Sequence, residues 1–216
     1  MSVERHMAGM LQQIARQQDV VEIAPQGTPR KAAALAYVAE QYGYTYGTAC
    51  RTGFKNSLVQ VRMYRDPRPE ARVREAATLT AHPQAGNGGT VPGLDRGSLK
   101  PLPGATDAVV VLKDLVTFDV MAQYVGDRKQ KTVVYLGCAV LTALLFADKS
   151  PVEAVATGGL LAVLATVAFQ VGTVRRAGIA RRLTAAGFHA VTDEQGAQRF
   201  LRPGQQLPGH ANPFAA

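Results

Sequence analysis

The sequence predicts an α+β integral membrane protein: a two-helix transmembrane hairpin with a small cytoplasmic α/β part built from N- and C-terminal segments. Three observations lead there. Two apolar runs, 132–147 and 154–174, stand side by side across a polar break at Asp148, Lys149, Ser150 and Pro151. Lys and Arg gather at the outer ends of both runs. On either side of the pair the same order recurs: a helix pattern, a glycine, an aromatic residue, then strand patterns.

Residues 154–174 carry no charge. They supply the roughly 20 apolar residues a helix needs to cross a hydrocarbon core of about 30 Å. Residues 132–147 cover only about 24 Å at 1.5 Å per residue. Lys131 and Lys149 are placed to snorkel from the two ends, and local bilayer thinning absorbs the remainder. The competing reading is a soluble hairpin buried in a core, because short apolar runs are ambiguous. The adjacency of two runs favours the membrane. Arg128, Lys129 and Lys131 precede the first run, and Arg175, Arg176, Arg181 and Arg182 follow the second, whereas the connecting loop holds a single Lys. By the positive-inside rule both termini are cytoplasmic, and these seven cations meet lipid headgroups. No cleavable signal segment is expected, since Glu4, Arg5 and His6 open the chain without an apolar run behind them.

The other elements follow in order. Met7, Met10, Leu11 and Ile14 recur on one side of a helix over 3–18. Thr28 before Pro29 starts a helix with a capping hydroxyl and a proline at its first position; it runs over 32–42 and stops at Gly43. Residues 44–51 read as a strand, 52–56 as its turn, and 57–65 as an alternating strand with Val61 and Met63 on one face. Asp66 and Pro67 open a helix over 68–81, completing a cytoplasmic domain over 1–83. Residues 84–105 are dense in Gly and Pro and read as a linker or a long irregular loop. A juxtamembrane segment, 106–131, comes next. Its Val109-Val110-Val111 favours a strand, yet Leu112, Leu115, Val116 and Phe118 form a helical stripe, and Asp107 suits a first turn. The segment is therefore taken as a helix over 108–125 lying near the headgroups. Beyond the second span, a basic helix ends at Gly187, and 188–192 and 198–202 form a β-hairpin, so that 175–202 is one cytoplasmic unit before a flexible tail, 203–216. A two-stranded hairpin is marginal alone. Joining the hairpins of 32–65 and 175–202 in one four-stranded sheet would bury both; the competing reading is that the recurrence is coincidence, since a helix ending in Gly before an aromatic strand is common.

Within the spans, small residues recur at helical spacing. Ala154, Gly158 and Ala162 lie on one side of the second helix, and Ala139 and Ala143 on the first; such faces let helices approach closely in lipid. A second stripe, Gly159, Thr166, Gln170 and Thr173, is offered to another protomer or to a pore. Gln170 matters because an amide facing lipid is costly.

Composition narrows the function classes. The 216-residue chain carries net charge +8, which suits an anionic inner leaflet. No basic stretch interleaved with aromatics argues for nucleic acid. Gly86-Asn87-Gly88-Gly89-Thr90 lacks the lysine of a phosphate loop. His6, His82, His189 and His210 show no metal spacing. Asp114 and Asp119 read as a solvated helix face. Cys50 falls in the cytoplasm and Cys138 within the first span, so no disulfide is expected. No catalytic, cofactor-binding or metal-ligating residues emerge. The sequence thus reads as a non-enzymatic, multi-pass inner-membrane protein of a bacterium, with two spans, whose cytoplasmic part binds or scaffolds an unknown protein partner. The alternative is a component of a small oligomeric channel or transporter.

Overall fold

The computed structural model describes residues 3–125, 128–145, 151–193 and 196–205. The ends of the first span at Phe146 and Ala147, the polar break at Asp148, Lys149 and Ser150, Glu194 and Gln195 of the C-terminal turn, and tail residues 206–216 lie outside them. So do the side chains of Arg128, Lys129, Lys131 and Ala154. The elements are α1 (Val3–Ala15), β1 (Val20–Gln26), α2 (Pro29–Gln41), β2 (Tyr44–Thr52), β3 (Leu58–Arg65), α3 (Pro69–Ala81), α4 (Thr106–Val125), α5 (Arg128–Leu145), α6 (Pro151–Ala185), β4 (His189–Thr192) and β5 (Gln198–Leu201). The chain is mixed α+β and forms two units: Met1–Val120 with Leu183–Ala216, and Met121–Arg182.

The first unit is built on an antiparallel sheet in the order β1-β3-β2. Val21 and Ile23 of β1 lie beside Met63 and Val61 of β3, and all four are fully buried. The helix α2 lies on all three strands. It presents an almost continuous alanine face, Ala32 to Ala36 and Ala39, with Leu35 and Val38 filling the depth. Alanine combines high helix propensity with a small profile, so the helix packs close to the sheet. Its start follows the expected pattern, with Thr28 Oγ1 accepting from Lys31 N and Pro29 at the first position. Met7, Met10, Leu11 and Ile14 bury the inner face of α1.

Strand β1 was not anticipated. Its alternating burial over Val20–Gln26 is the pattern of a half-buried strand, but Pro25 argues against a strand interior. The structure accommodates the proline where the register with β3 shifts, between Ile23 and Gln26. Strand β2 shifts register between Tyr46 and Thr48. Gly47 sits in that bulge because the Tyr64 ring lies on it: a Cβ there would be 2.1 Å from the ring.

Three expectations about this unit are corrected or narrowed. First, β4 and β5 form their own two-stranded sheet rather than joining β2 and β3. Both free edges of the three-stranded sheet are met by side chains instead. Gln13 donates to Glu22 O and accepts from Glu22 N on β1, while Asp119 Oδ2 accepts from Ala49 N and Gln205 donates to Tyr46 O on β2. Edge groups satisfied in this way offer no ladder to another strand. Second, of the two readings of residues 84–105, the irregular loop holds, and it is packed. Ala85, Leu94 and Ala105 are buried, and Leu94 bridges to Pro101. Gly93 is required twice over, by φ +67° and by a Tyr37 ring that a Cβ would meet at 2.5 Å. Third, α4 is a helix as expected, but through Val120 it is no headgroup-lying segment. Val109, Leu112, Leu115, Val116, Phe118 and Val120 are all buried. They take up a little over half of the helix surface, as on a helix packed into a core, and leave Val110 exposed and Lys113 and Thr117 half-buried on the other side.

The second unit contains α5 and α6. One helix, α6, is long and apolar enough to cross a membrane: Val155–Ala185 holds a window of mean hydropathy 1.8, none of it buried. The apolar part of α5, Thr132–Leu144, is shorter than a span. Of the two expected spans, one is long enough among the described residues, and the first is as short as its sequence implied.

Candidate functional site

The second unit is apolar on the outside. Among the described residues, fourteen of the twenty exposed large hydrophobic side chains lie between Val133 and Val174. Leu144, Val155 and Val174 are each at least 70% exposed. A soluble domain turns such residues inward; a contiguous apolar exterior marks a surface made for lipid or protein. What polarity the helices carry within the apolar stretch is partly spent between them. Tyr135 Oη and Thr166 Oγ1 are 2.8 Å apart across α5 and α6. Thr142 is buried, donates to Cys138 O, and lies against Gly158. The Tyr135 and Phe169 rings meet at 6.2 Å. These contacts run in opposite directions along the two helices, so they pack antiparallel.

The structure distributes the predicted residues unevenly. Gly158 and Ala162 are half-buried, and Gly158 lies against Thr142 of α5. Ala139 and Ala143 are exposed, so α5 meets α6 through Tyr135 and Thr142 and not through its alanines. The alanine spacing was a sound helical stripe, but hydroxyls need partners in an apolar setting: Thr142 is buried against α6, and Tyr135, itself partly exposed, reaches Thr166. In the second stripe, Gly159, Thr166, Gln170 and Thr173 are all exposed. Thr166 and Thr173 bond their own backbone, at Ala162 O and Gln170 O, and nothing lies within 4 Å of a Cβ at Gly159. Of the expected headgroup contacts, Arg175, Arg181 and Arg182 are exposed and Arg176 is half-buried, all on α6 beyond its apolar stretch.

A second cluster, missed at the sequence level, joins the two segments of the first unit. Phe200 of β5 meets Phe118 edge-to-face at 4.9 Å. Tyr46 donates to Asp119 Oδ2 at 2.7 Å. Its hydroxyl proton is held well above the usual tyrosine range, by burial first and by the Asp119 carboxylate second. Arg202 Nη2 pairs with Glu40 Oε2 at 3.0 Å, and its guanidinium stands over the Phe188 ring at 5.7 Å. Burial raises the Glu40 carboxyl, against the opposing pull of Arg202 and Arg74, and Glu40 Oε1 is buried without a partner. Asp114 and Asp119 therefore do not form a solvated face: Asp114 is buried, and Asp119 receives two hydrogen bonds. Their spacing on an otherwise apolar helix was the available signal. A carboxylate amid buried positions is kept for a bond.

Among the described residues no three His, Cys, Asp or Glu side chains gather as a metal site. No family model, no curated protein and no solved structure matches this chain.

Proposed function

We propose that this chain is a membrane-embedded scaffold. In this reading α5 and α6 cross a bacterial inner membrane as a hairpin, and both termini lie in the cytoplasm. The globular unit serves as a non-enzymatic platform for a protein partner. The carrying observation is the apolar exterior of α6 between Val155 and Val174. Those positions span 20 residues, about 30 Å of helix, before Arg175 and Arg176 begin the cationic continuation. Lipid meets such a surface without penalty, whereas water does not. The shorter α5 is consistent with a second crossing because the hydroxyls of Tyr135 and Thr142 are satisfied by α6 and by the α5 backbone. The rival reading, an oligomeric channel component, is favoured by one feature: the exposed Gln170 amide within the apolar stretch of α6.

Topology decides the first reading. In a background of Cys50→Ser and Cys138→Ala, Ser150→Cys should react with an impermeant thiol reagent on intact cells, and Lys100→Cys only after permeabilisation. The opposite pattern overturns the orientation. Release of the chain by alkaline carbonate overturns membrane embedding itself. Leakage from reconstituted vesicles that Gln170→Leu removes would favour the channel over the scaffold.

A further inference from the structure

The β-hairpin of β4 and β5 closes the first unit without joining its backbone. Among the described residues, no backbone–backbone hydrogen bond links 188–205 to 3–120, and β4 pairs with β5 alone. Side chains make the crossing. Phe200 meets Phe118 at 4.9 Å, Arg202 pairs with Glu40 at 3.0 Å, and Gln205 donates to Tyr46 O at 2.7 Å. The β-hairpin also holds itself together. Asp193 accepts from Ala197 N and from Arg199 Nε across the turn, each at 2.8 Å, and the Arg202 guanidinium stands over the Phe188 ring. Its joint to α6 is Gly187, at φ +86° with nothing within 4 Å of a Cβ. A glycine at the end of an element, with open space around it, absorbs a change of backbone direction. The closed position is not fully compensated. Glu40 Oε1 is buried without a partner beside the Arg202 pair, and a buried acceptor left unpaired costs stability.

We infer that 188–205 is a releasable cover: it leaves the body as one piece about Gly187 while the β1-β3-β2 sheet stays folded. Release uncovers the Phe118 ring, the Glu40 carboxylate and the Tyr46 carbonyl on the edge of β2. A sheet edge with such pockets beside it accepts an extended segment. The segment that fits repeats the cover's own chemistry, an aromatic ring with a cation two residues further on, as Phe200 and Arg202 stand in the chain. That partner deepens the scaffold reading above and rests on it; the release does not.

Native-state hydrogen exchange on the full-length chain in detergent micelles reads the release. The paired amides of β4 and β5 should exchange together, at least about tenfold faster than those of β3. Phe200→Ala should speed β4 and β5 by about 100-fold, and Arg202→Ala should speed both strands as well, while β3 keeps its wild-type rates. One common rate for β3, β4 and β5, or loss of β3 protection in both variants, overturns the release. A labelled peptide of residues 198–205 reads the uncovered face. It should bind full-length chain carrying Phe200→Ala and Arg202→Ala at least about tenfold tighter than wild type, whose tethered cover competes with it. Adding Glu40→Lys to that variant should abolish binding. Equal binding by variant and wild type, or none by either, overturns the partner chemistry and leaves the release standing. Neither measurement uses a bilayer, so the topology tests above fail or succeed independently of both.

Discussion

Gly158 and Gly159 are neighbours in sequence with opposite surroundings, and substituting each with leucine isolates the α5–α6 contact. A Cβ at Gly158 would stand 3.3 Å from Thr142 Cγ2 and 3.4 Å from Thr142 Oγ1. The remaining leucine atoms have to displace α5. Overpacking of this kind costs about 1–3 kcal/mol. Separation of the helices also stretches the 2.8 Å Tyr135–Thr166 contact, worth about 0.6 kcal/mol in lipid. Helix propensity does not offset these terms, because a helix in lipid or detergent keeps its backbone bonds even when its partner leaves. Gly158→Leu should therefore lose about 2 kcal/mol. At Gly159 a Cβ meets nothing within 4 Å, so Gly159→Leu should change stability by less than about 0.5 kcal/mol. The assay is reversible unfolding in mixed detergent micelles, read by helix content and by the accessibility of Cys138. Equal stability of the two variants, or a larger loss at Gly159, would refute the packing described here.

Two further predictions concern the first unit. Gly93→Ala should destabilise it by about 2 kcal/mol, combining a left-handed backbone with a clash on the Tyr37 ring; unchanged urea unfolding would mean that residues 84–105 are a loose tether after all. Glu40→Gln should gain stability relative to wild type as pH rises from about 5 to about 8. The sign follows from the raised carboxyl: the folded state holds the proton more tightly than the unfolded chain, so Glu40's own contribution to stability is greatest below the ordinary glutamate range and falls as pH rises through the raised value. Thermal unfolding across this range checks it, and a gap between variant and wild type that narrows with rising pH would contradict it.

Local chemistry was the legible part of the fold. Thr28-Pro29 and Gly43 bracket α2, and turn residues separate β2 from β3, because these signals act within a few residues of where they stand. The longest element was legible too: an uncharged run followed by arginines reads as α6. Long-range pairing was not. Nothing near β4 reveals that the β2 edge is already taken by Asp119, 70 positions from Ala49, and by Gln205, 159 positions from Tyr46. The glycines of 84–105 looked like linker punctuation, yet Gly93 is glycine because Tyr37 lies on it. The packing stripe on α5 was misjudged for a related reason. Small size and hydroxyl pairing both bring helices together, and spacing alone does not rank Ala139 against Thr142.

The first unit is discontinuous: its final pieces, Leu183 and everything beyond, follow the helical hairpin in the chain. A ribosome therefore releases α5 and α6 before Phe200 is available to cover Phe118, Arg202 to pair with Glu40, or Gln205 to meet Tyr46 O. Domains assemble in the order of their synthesis, and here that order leaves the globular body open until the apolar helices have emerged. A nascent chain at that stage carries two exposed apolar surfaces at once, one on α6 and one around Phe118. Such a chain is a ready target for chaperones and proteases, so closure of the globular body doubles as a report that the hairpin ahead of it has already been made.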